Sequence, residues 1–248
     1  GTTSGDVTAL PITTLSRLIH SRELSPVEVT EAYLERIAQL DGPLNSFITV
    51  TPERARRDAE WAEAEIMSGA HRGAMHGIPV AHKDLLHTKG IRTTFNSEHF
   101  REFVPDVDAA VVTNLADAGT VLLGKLNTYE FGNGVGDTFG PARNPWDVAR
   151  EAGGSSSGSG AAVAADLVAG ATGSDAAGSI RVPAAFCGVV GLKPTFGTIG
   201  RFPGAWNSAS TVGPMTKTVR DAAIMLEWMV DPGSRHLYTG LESRLHAT

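Results

Sequence analysis

Along the first third of the chain, apolar residues recur at helical spacing. Ile12, Leu15, Leu18 and Ile19 form a short stripe with the three- and four-residue steps of a helix. Ser25-Pro26-Val27-Glu28 predicts the start of a longer helix: serine as N-cap, proline at the first helical position, glutamate closing a capping box. Val29, Tyr33, Leu34 and Ile37 then share one face to about Leu40, and Asp41-Gly42-Pro43 predicts the end. Leu44 to Val50 reads as a short strand. Pro52 opens a third helix that runs through Met67 and stops at Gly69. Its charges, Glu53, Arg57, Asp58, Glu60, Glu63 and Glu65, are assigned to a solvated face.

Farther on, short apolar runs alternate with helical ones. Gly77 to His82 is an apolar strand that runs directly into Lys83 and Asp84. Residues 108–118 form an apolar-rich helix ended by Gly119, and Thr120 to Gly124 is a buried strand. This alternation predicts an α/β fold, a mixed or parallel sheet covered by helices. Thr128 to Asp147, rich in glycine, asparagine and proline, reads as loop. Gly158 to Val168 predicts a small-residue helix packed close to the sheet. Strands follow at Ala171 to Ser174 and Val189 to Leu192, with a short helix opened by Ser179 between them. Asp221 to Val230 is an amphipathic helix, and the sequence after Val230 is polar and irregular. No internal repeat or linker divides the chain, so residues 1–248 are expected to be a single domain.

Composition narrows the class. The 248 residues are 42% hydrophobic with a net charge of −6, as in a mildly acidic globular protein. No basic run suggests nucleic acid as a partner, and no apolar run is long enough for a membrane. Gly1 to Asp6 lacks the apolar core of a signal peptide. The single cysteine, Cys187, excludes an internal disulfide and fits a reducing compartment, so a cytoplasmic location is expected. It sits in the apolar run Ala184 to Val190, as a buried structural thiol would. A chain that opens at Gly1 and not at methionine is expected to be processed or partial.

Two glycine-rich, serine-bearing loops carry the candidate chemistry. The first is Gly153-Gly154-Ser155-Ser156-Ser157-Gly158 and the second Gly173-Ser174-Asp175-Ala176-Ala177-Gly178-Ser179. Small residues let another group approach the backbone amides closely. Hydroxyls beside such amides supply a nucleophile and donors for an oxyanion, which points to acyl transfer. Lys83 is the candidate base. At the end of a buried strand it would be desolvated and favour its neutral form. The plainer reading, a Lys83–Asp84 pair at the surface, stays open on pattern alone. His82 is expected to be packed and is assigned no chemistry.

These motifs together resemble the amidase signature family. The likeness rests on Gly77-Ile78-Pro79 with Lys83-Asp84, Gly140-Pro141 with Asn144-Pro145-Trp146, Gly153-Gly154-Ser155-Ser156, Gly178-Ser179-Ile180-Arg181, Gly191-Leu192-Lys193-Pro194-Thr195 and Gly213-Pro214-Met215. It runs from about Leu15 to Val230. The resemblance implies a mixed central sheet with helices on both faces, of which this chain holds the N-terminal half. It implies a Ser–cis-Ser–Lys triad of Lys83, Ser155 and Ser179, with Ser179 as nucleophile and a cis peptide bond before Ser155. It implies an oxyanion hole from the backbone amides of Ala176, Ala177, Gly178 and Ser179. Ser156 is expected to orient the relay, Asp175 to brace the oxyanion loop, and Arg181 to pair with a nearby carboxylate. No cofactor and no metal are called for.

The sequence departs from the family pattern in places. Ala177 stands where a glycine is usual, the first loop reads Ser-Ser-Ser-Gly-Ser, and the loop from Phe131 to Phe139 is short. The family domain is also longer, and its C-terminal half supplies sheet strands and part of the pocket, so a C-terminal truncation is expected. Three functions follow: an amidase acting on a small-molecule amide, the glutaminase component of a tRNA-dependent amidotransferase, or an inactive fragment. A homodimer or amidotransferase partner subunits are the assemblies that fit.

Overall fold

In a computed structural model, the described residues are 7–134, 138–200 and 210–230. The irregular tail after Val230 and the centre of the short Phe131–Phe139 loop lie outside them. The helices are α1 (Ile12–His20), α2 (Pro26–Leu44), α3 (Pro52–Met67), α4 (Ala110–Asp117), α5 (Ser157–Ala164), α6 (Arg181–Cys187) and α7 (Val219–Met229). The strands are β1 (Phe47–Val50), β2 (Pro79–Lys83), β3 (Val121–Leu126), β4 (Arg143–Asn144), β5 (Asp147–Glu151), β6 (Gly170–Asp175), β7 (Val190–Gly191) and β8 (Thr211–Thr216).

Six strands form one sheet in the order β1-β3-β2-β6-β8-β7. Its centre, β3-β2-β6, is parallel, and β1, β8 and β7 pair antiparallel. The sheet is therefore mixed, as expected. Helices flank it: α3 packs on β3, α5 on β6 and α7 on β8. Every residue of β2, β3, β6 and β8 is buried. That explains their apolar runs, since strands covered on both faces do not alternate. Ile12, Leu15, Ile19, Val29 and Tyr33 from the first two helices enter the main core. Each such side chain stabilises the fold by about 1.5–3 kcal/mol through burial.

Several elements differ from the expectation. The capping box at Ser25 and Glu28 forms, but α2 continues through Gly42 and Pro43 to Leu44. The exit is set one turn later. Asn45 adopts the left-handed conformation, and the Asp41 carboxylate accepts the N–H groups of Ser46 at 2.9 Å and Phe47 at 3.2 Å. Asp58, assigned to a solvated face, is buried and accepts Arg54 Nε at 2.7 Å and the Leu122 N–H at 3.4 Å. The β4–β5 hairpin begins inside the segment read as loop. Strand β8 has no counterpart in the sequence reading, because Gly213 and Pro214 argue against a strand interior. Here the glycine is required: a Cβ at Gly213 would lie 2.1 Å from the Leu192 carbonyl oxygen. Pro214 lacks a donor, but its carbonyl still accepts the Leu192 N–H at 3.1 Å.

Cys187 closes α6 as a buried thiol. Its S–H donates to the Ala152 carbonyl at 3.3 Å, and burial pushes the thiol up to about 12. No described helix is long and apolar enough to cross a membrane.

Candidate active site

Strand β2 ends on Lys83, and β6, paired parallel beside it, ends on Ser174 and Asp175. Period-two alternation puts Thr172 and Ser174 on one face of β6. Thr172 Oγ1 accepts the Lys83 backbone N–H at 3.1 Å, and Ser174 Oγ accepts Lys83 Nζ at 3.0 Å. The first serine loop completes the shell: Lys83 Nζ lies 2.7 Å from Ser155 Oγ and 2.9 Å from Ser156 Oγ. The Gly154–Ser155 peptide bond is cis. Gly154 has no room for a side chain, since a Cβ there would sit 2.2 Å from the Tyr129 ring.

The Lys83 side chain is fully buried among hydroxyls, with no carboxylate in contact among the described residues. Burial pushes its ammonium down to about 7, against the more distant pull of Asp175. A neutral amine has two N–H groups and one lone pair. Ser156 already donates its hydroxyl proton to the Ser174 carbonyl at 3.3 Å, so it can only accept from Lys83. Ser155, the shortest contact, has its proton free for the lone pair.

The second loop is tied to the first by the Ser156 N–H, which donates to the Ser179 carbonyl at 3.1 Å. Ser179 is half-buried, and its hydroxyl has no hydrogen bond among the described residues. Asp175 holds this turn together. Its carboxylate accepts the N–H groups of Gly178 at 2.7 Å and Ile180 at 3.1 Å, and Arg181 bonds both oxygens at 3.0 Å. Burial opposes its ionisation, but Arg181 and the two amides outweigh it and hold the carboxyl at about 2. Asp175 and Arg181 thus tie the turn together. Of the four amides that the resemblance implies for an oxyanion hole, that of Gly178 already donates to Asp175. The amides of Ala176, Ala177 and Ser179 have no acceptor among the described residues. Beside the first loop lies a cavity of about 240 Å³, lined by Asn127, Tyr129, Ala142, Gly153 and Ser157 among others.

The Lys83–Asp84 surface pair is corrected outright, because both residues are fully buried. Asp84 pairs instead with a second buried lysine, Lys125 of β3, whose Nζ is 3.2 Å from Asp84 Oδ1. That ammonium also donates to the Leu86 carbonyl at 2.9 Å and to Thr93 Oγ1 at 2.6 Å. Burial pushes Lys125 down and Asp84 pulls it back up. His82 is buried, and burial, with Lys125 and Arg54 nearby, pushes it to about 3, so it is neutral. Sequence reasoning misses both Ser174 and Lys125. The signals are there: period two along β6 for Ser174, and for Lys125 a lysine ending a buried run, as at Lys83.

The family model for Amidase matches residues 28–239. The chain belongs to the amidase family. The glutamyl-tRNA(Gln) amidotransferase A subunit of Methylococcus capsulatus (strain ATCC 33009 / NCIMB 11132 / Bath) is 50% identical over 216 residues, which cover 85% of this amidase chain and 44% of that relative. The solved peptide amidase from Stenotrophomonas maltophilia has a TM-score of 0.83 at 37% identity, covering 90% of this chain and 48% of that one. The glutamyl-tRNA(Gln) amidotransferase A subunit from Thermotoga maritima has a TM-score of 0.77 at 39% identity, covering 91% and 47%. The chain spans about half the length of each relative.

Proposed function

We propose that this chain carries the reaction centre of an amide hydrolase that works through an acyl-serine, and that it is part of one larger amidase domain. The observation that carries the reading is the wholly buried Lys83 amine, 2.7 Å from Ser155 Oγ and without a counterion in contact among the described residues. With its pKa near 7, a sizeable fraction is neutral base at neutral pH.

In this reading Ser179 Oγ attacks the amide carbonyl carbon, forming a C–O bond. Its proton passes to Ser155, whose own proton passes to Lys83. The carbonyl oxygen becomes an oxyanion facing the free amides of Ala176, Ala177 and Ser179, each donor lowering the barrier by about 3–4 kcal/mol. Collapse breaks the C–N bond, and the amine leaves with the proton returned along the same relay. Water then attacks the ester, releasing the acid and restoring Ser179. Ser156 orients the lysine by accepting one of its N–H groups, and Asp175 with Arg181 fixes the turn that carries the nucleophile.

A fluorophosphonate probe followed by peptide mapping tests this. Labelling is expected on Ser179 and should vanish in Ser179→Ala. Labelling that persists unchanged in that variant would sink the assignment.

A second reading is favoured by the 50% identity to an amidotransferase component: the acyl donor is glutamine, and the ammonia released serves partner subunits. Ammonia released from glutamine, rising when amidotransferase partner subunits are added, would select it. Hydrolysis of simple amides with no response to either would select the free-standing amidase.

A further inference from the structure

Two fully buried lysines stand on neighbouring strands of the sheet, and the reaction proposed above uses one of them. In the β2–β3 ladder His82 pairs with Lys125 and Lys83 with Leu126. Paired residues of a parallel ladder share a face and successive ones alternate, so Lys83 points to one side and His82 and Lys125 to the other. Asp84 joins Lys125 there. The chain thus carries a buried carboxylate directly after the proposed base, on the opposite side of the sheet.

Such a carboxylate is a hazard to the chemistry. In a low-dielectric interior a negative charge on the residue next in the chain favours the protonated amine, which cannot act as a base. Asp84 is also tied in place by two donors. Its Oδ2 accepts the Thr94 N–H at 2.8 Å and the Thr94 hydroxyl at 2.6 Å. Its remaining oxygen faces Lys125. We propose that Lys125 is a positioning residue for the acyl-transfer site: its ammonium neutralises Asp84 across the sheet, so that the Lys83 amine can stay uncharged among its serines.

The other titratable groups near the pair do not replace it. His82 and His87 are kept neutral by burial and by the Lys125 charge, and Asp108 acts on Lys125 at longer range. On its own side Lys83 faces Ser155, Ser156 and Ser174, with Asp175 as the neighbouring charge.

The inference rests on Lys83 being the base, but its test follows Lys83 itself and not turnover. The full chain is labelled with carbon-13 at the lysine ε-carbons, and the Lys83 signal is assigned by its loss in Lys83→Met. Its titration midpoint is then read in each variant. Lys125→Met exposes Lys83 to an unmasked Asp84, and the midpoint should rise by about one unit, a tenfold smaller neutral fraction at fixed pH. Asp84→Asn leaves the Lys125 charge unopposed, and the midpoint should fall. The double variant, neutral and close in shape, should return to the wild-type value. A purely structural role predicts no such opposite signs. Should Lys125→Met not fold, Asp84→Asn decides alone. An unchanged midpoint in a folded single variant overturns the inference, as does a double variant that keeps a single variant's shift. Ser179 labelling whose pH profile ignores a shifted Lys83 midpoint would count against the proposed function and leave the role of Lys125 standing.

Discussion

Lys83 and Lys125 are equally buried and one strand apart, yet their surroundings are opposite in kind. Burial pushes both amines down. Among the described residues Lys83 meets three hydroxyls and no ion, so nothing there in contact offsets the desolvation of its charge. Lys125 meets the Asp84 carboxylate at 3.2 Å and two further acceptors, so its charge is compensated. The contrast teaches that burial alone does not make a lysine a base. The choice lies in whether the neighbours are neutral oxygens or an anion.

Substitution at Lys83 should break this comparison most sharply. Lys83→Met should lower turnover by about 10²–10⁴-fold, read as kcat on an aryl amide. The same change should stabilise the fold at pH 7. An unfolded lysine titrates near 10.5 and the folded Lys83 near 7, so across that window the unfolded chain binds a proton that the folded one does not. Wild-type stability therefore rises with pH from about 7 to 10.5, and the variant lacks that slope. Its advantage should be greatest at pH 7 and fade towards 10.5 in denaturant titrations. Lys125→Met should do the reverse to the fold, costing about 3–5 kcal/mol because Asp84 is left buried and unpaired. Adding Asp84→Asn should recover most of that loss in thermal melts. The smallest effect is expected at His82. His82→Ala should leave kcat per folded molecule nearly unchanged, and a fall as large as that of Lys83→Met would transfer the base role to the histidine.

How far the sequence can be read depends on whether a residue's partner is local. The Ser25–Glu28 capping box, the start of α3 at Pro52 and the apolar runs of β2 and β3 are set by neighbours a few positions away, and each is legible. For Arg181 the sequence suggests a nearby carboxylate without naming it; the structure places Asp175, six positions back on the same turn, against it. Asp84 is misassigned on pattern because its partner, Lys125, is distant in sequence and becomes adjacent only when β2 and β3 pair. Asp58 is misplaced for the same reason, since one of its donors is the backbone of Leu122. Strand β8 is hidden by Gly213 and Pro214, whose tolerance depends on the crossing of Leu192. Gly178 reads as an oxyanion donor from its place in the motif. That its amide turns to Asp175 is a matter of turn geometry, which composition does not encode.

The thiol of Cys187 gives the protein a built-in clock. It is the chain's one sulfhydryl, and with its pKa near 12 it offers almost no thiolate at neutral pH while α6 stays closed on Ala152. Ala152 leads directly into Gly153 and Gly154, so the burial that silences the sulfur lies beside the first serine loop. A thiol reagent will therefore count the moments when that burial is lost. It will do so in the unaltered chain, with no label beyond the residue already there.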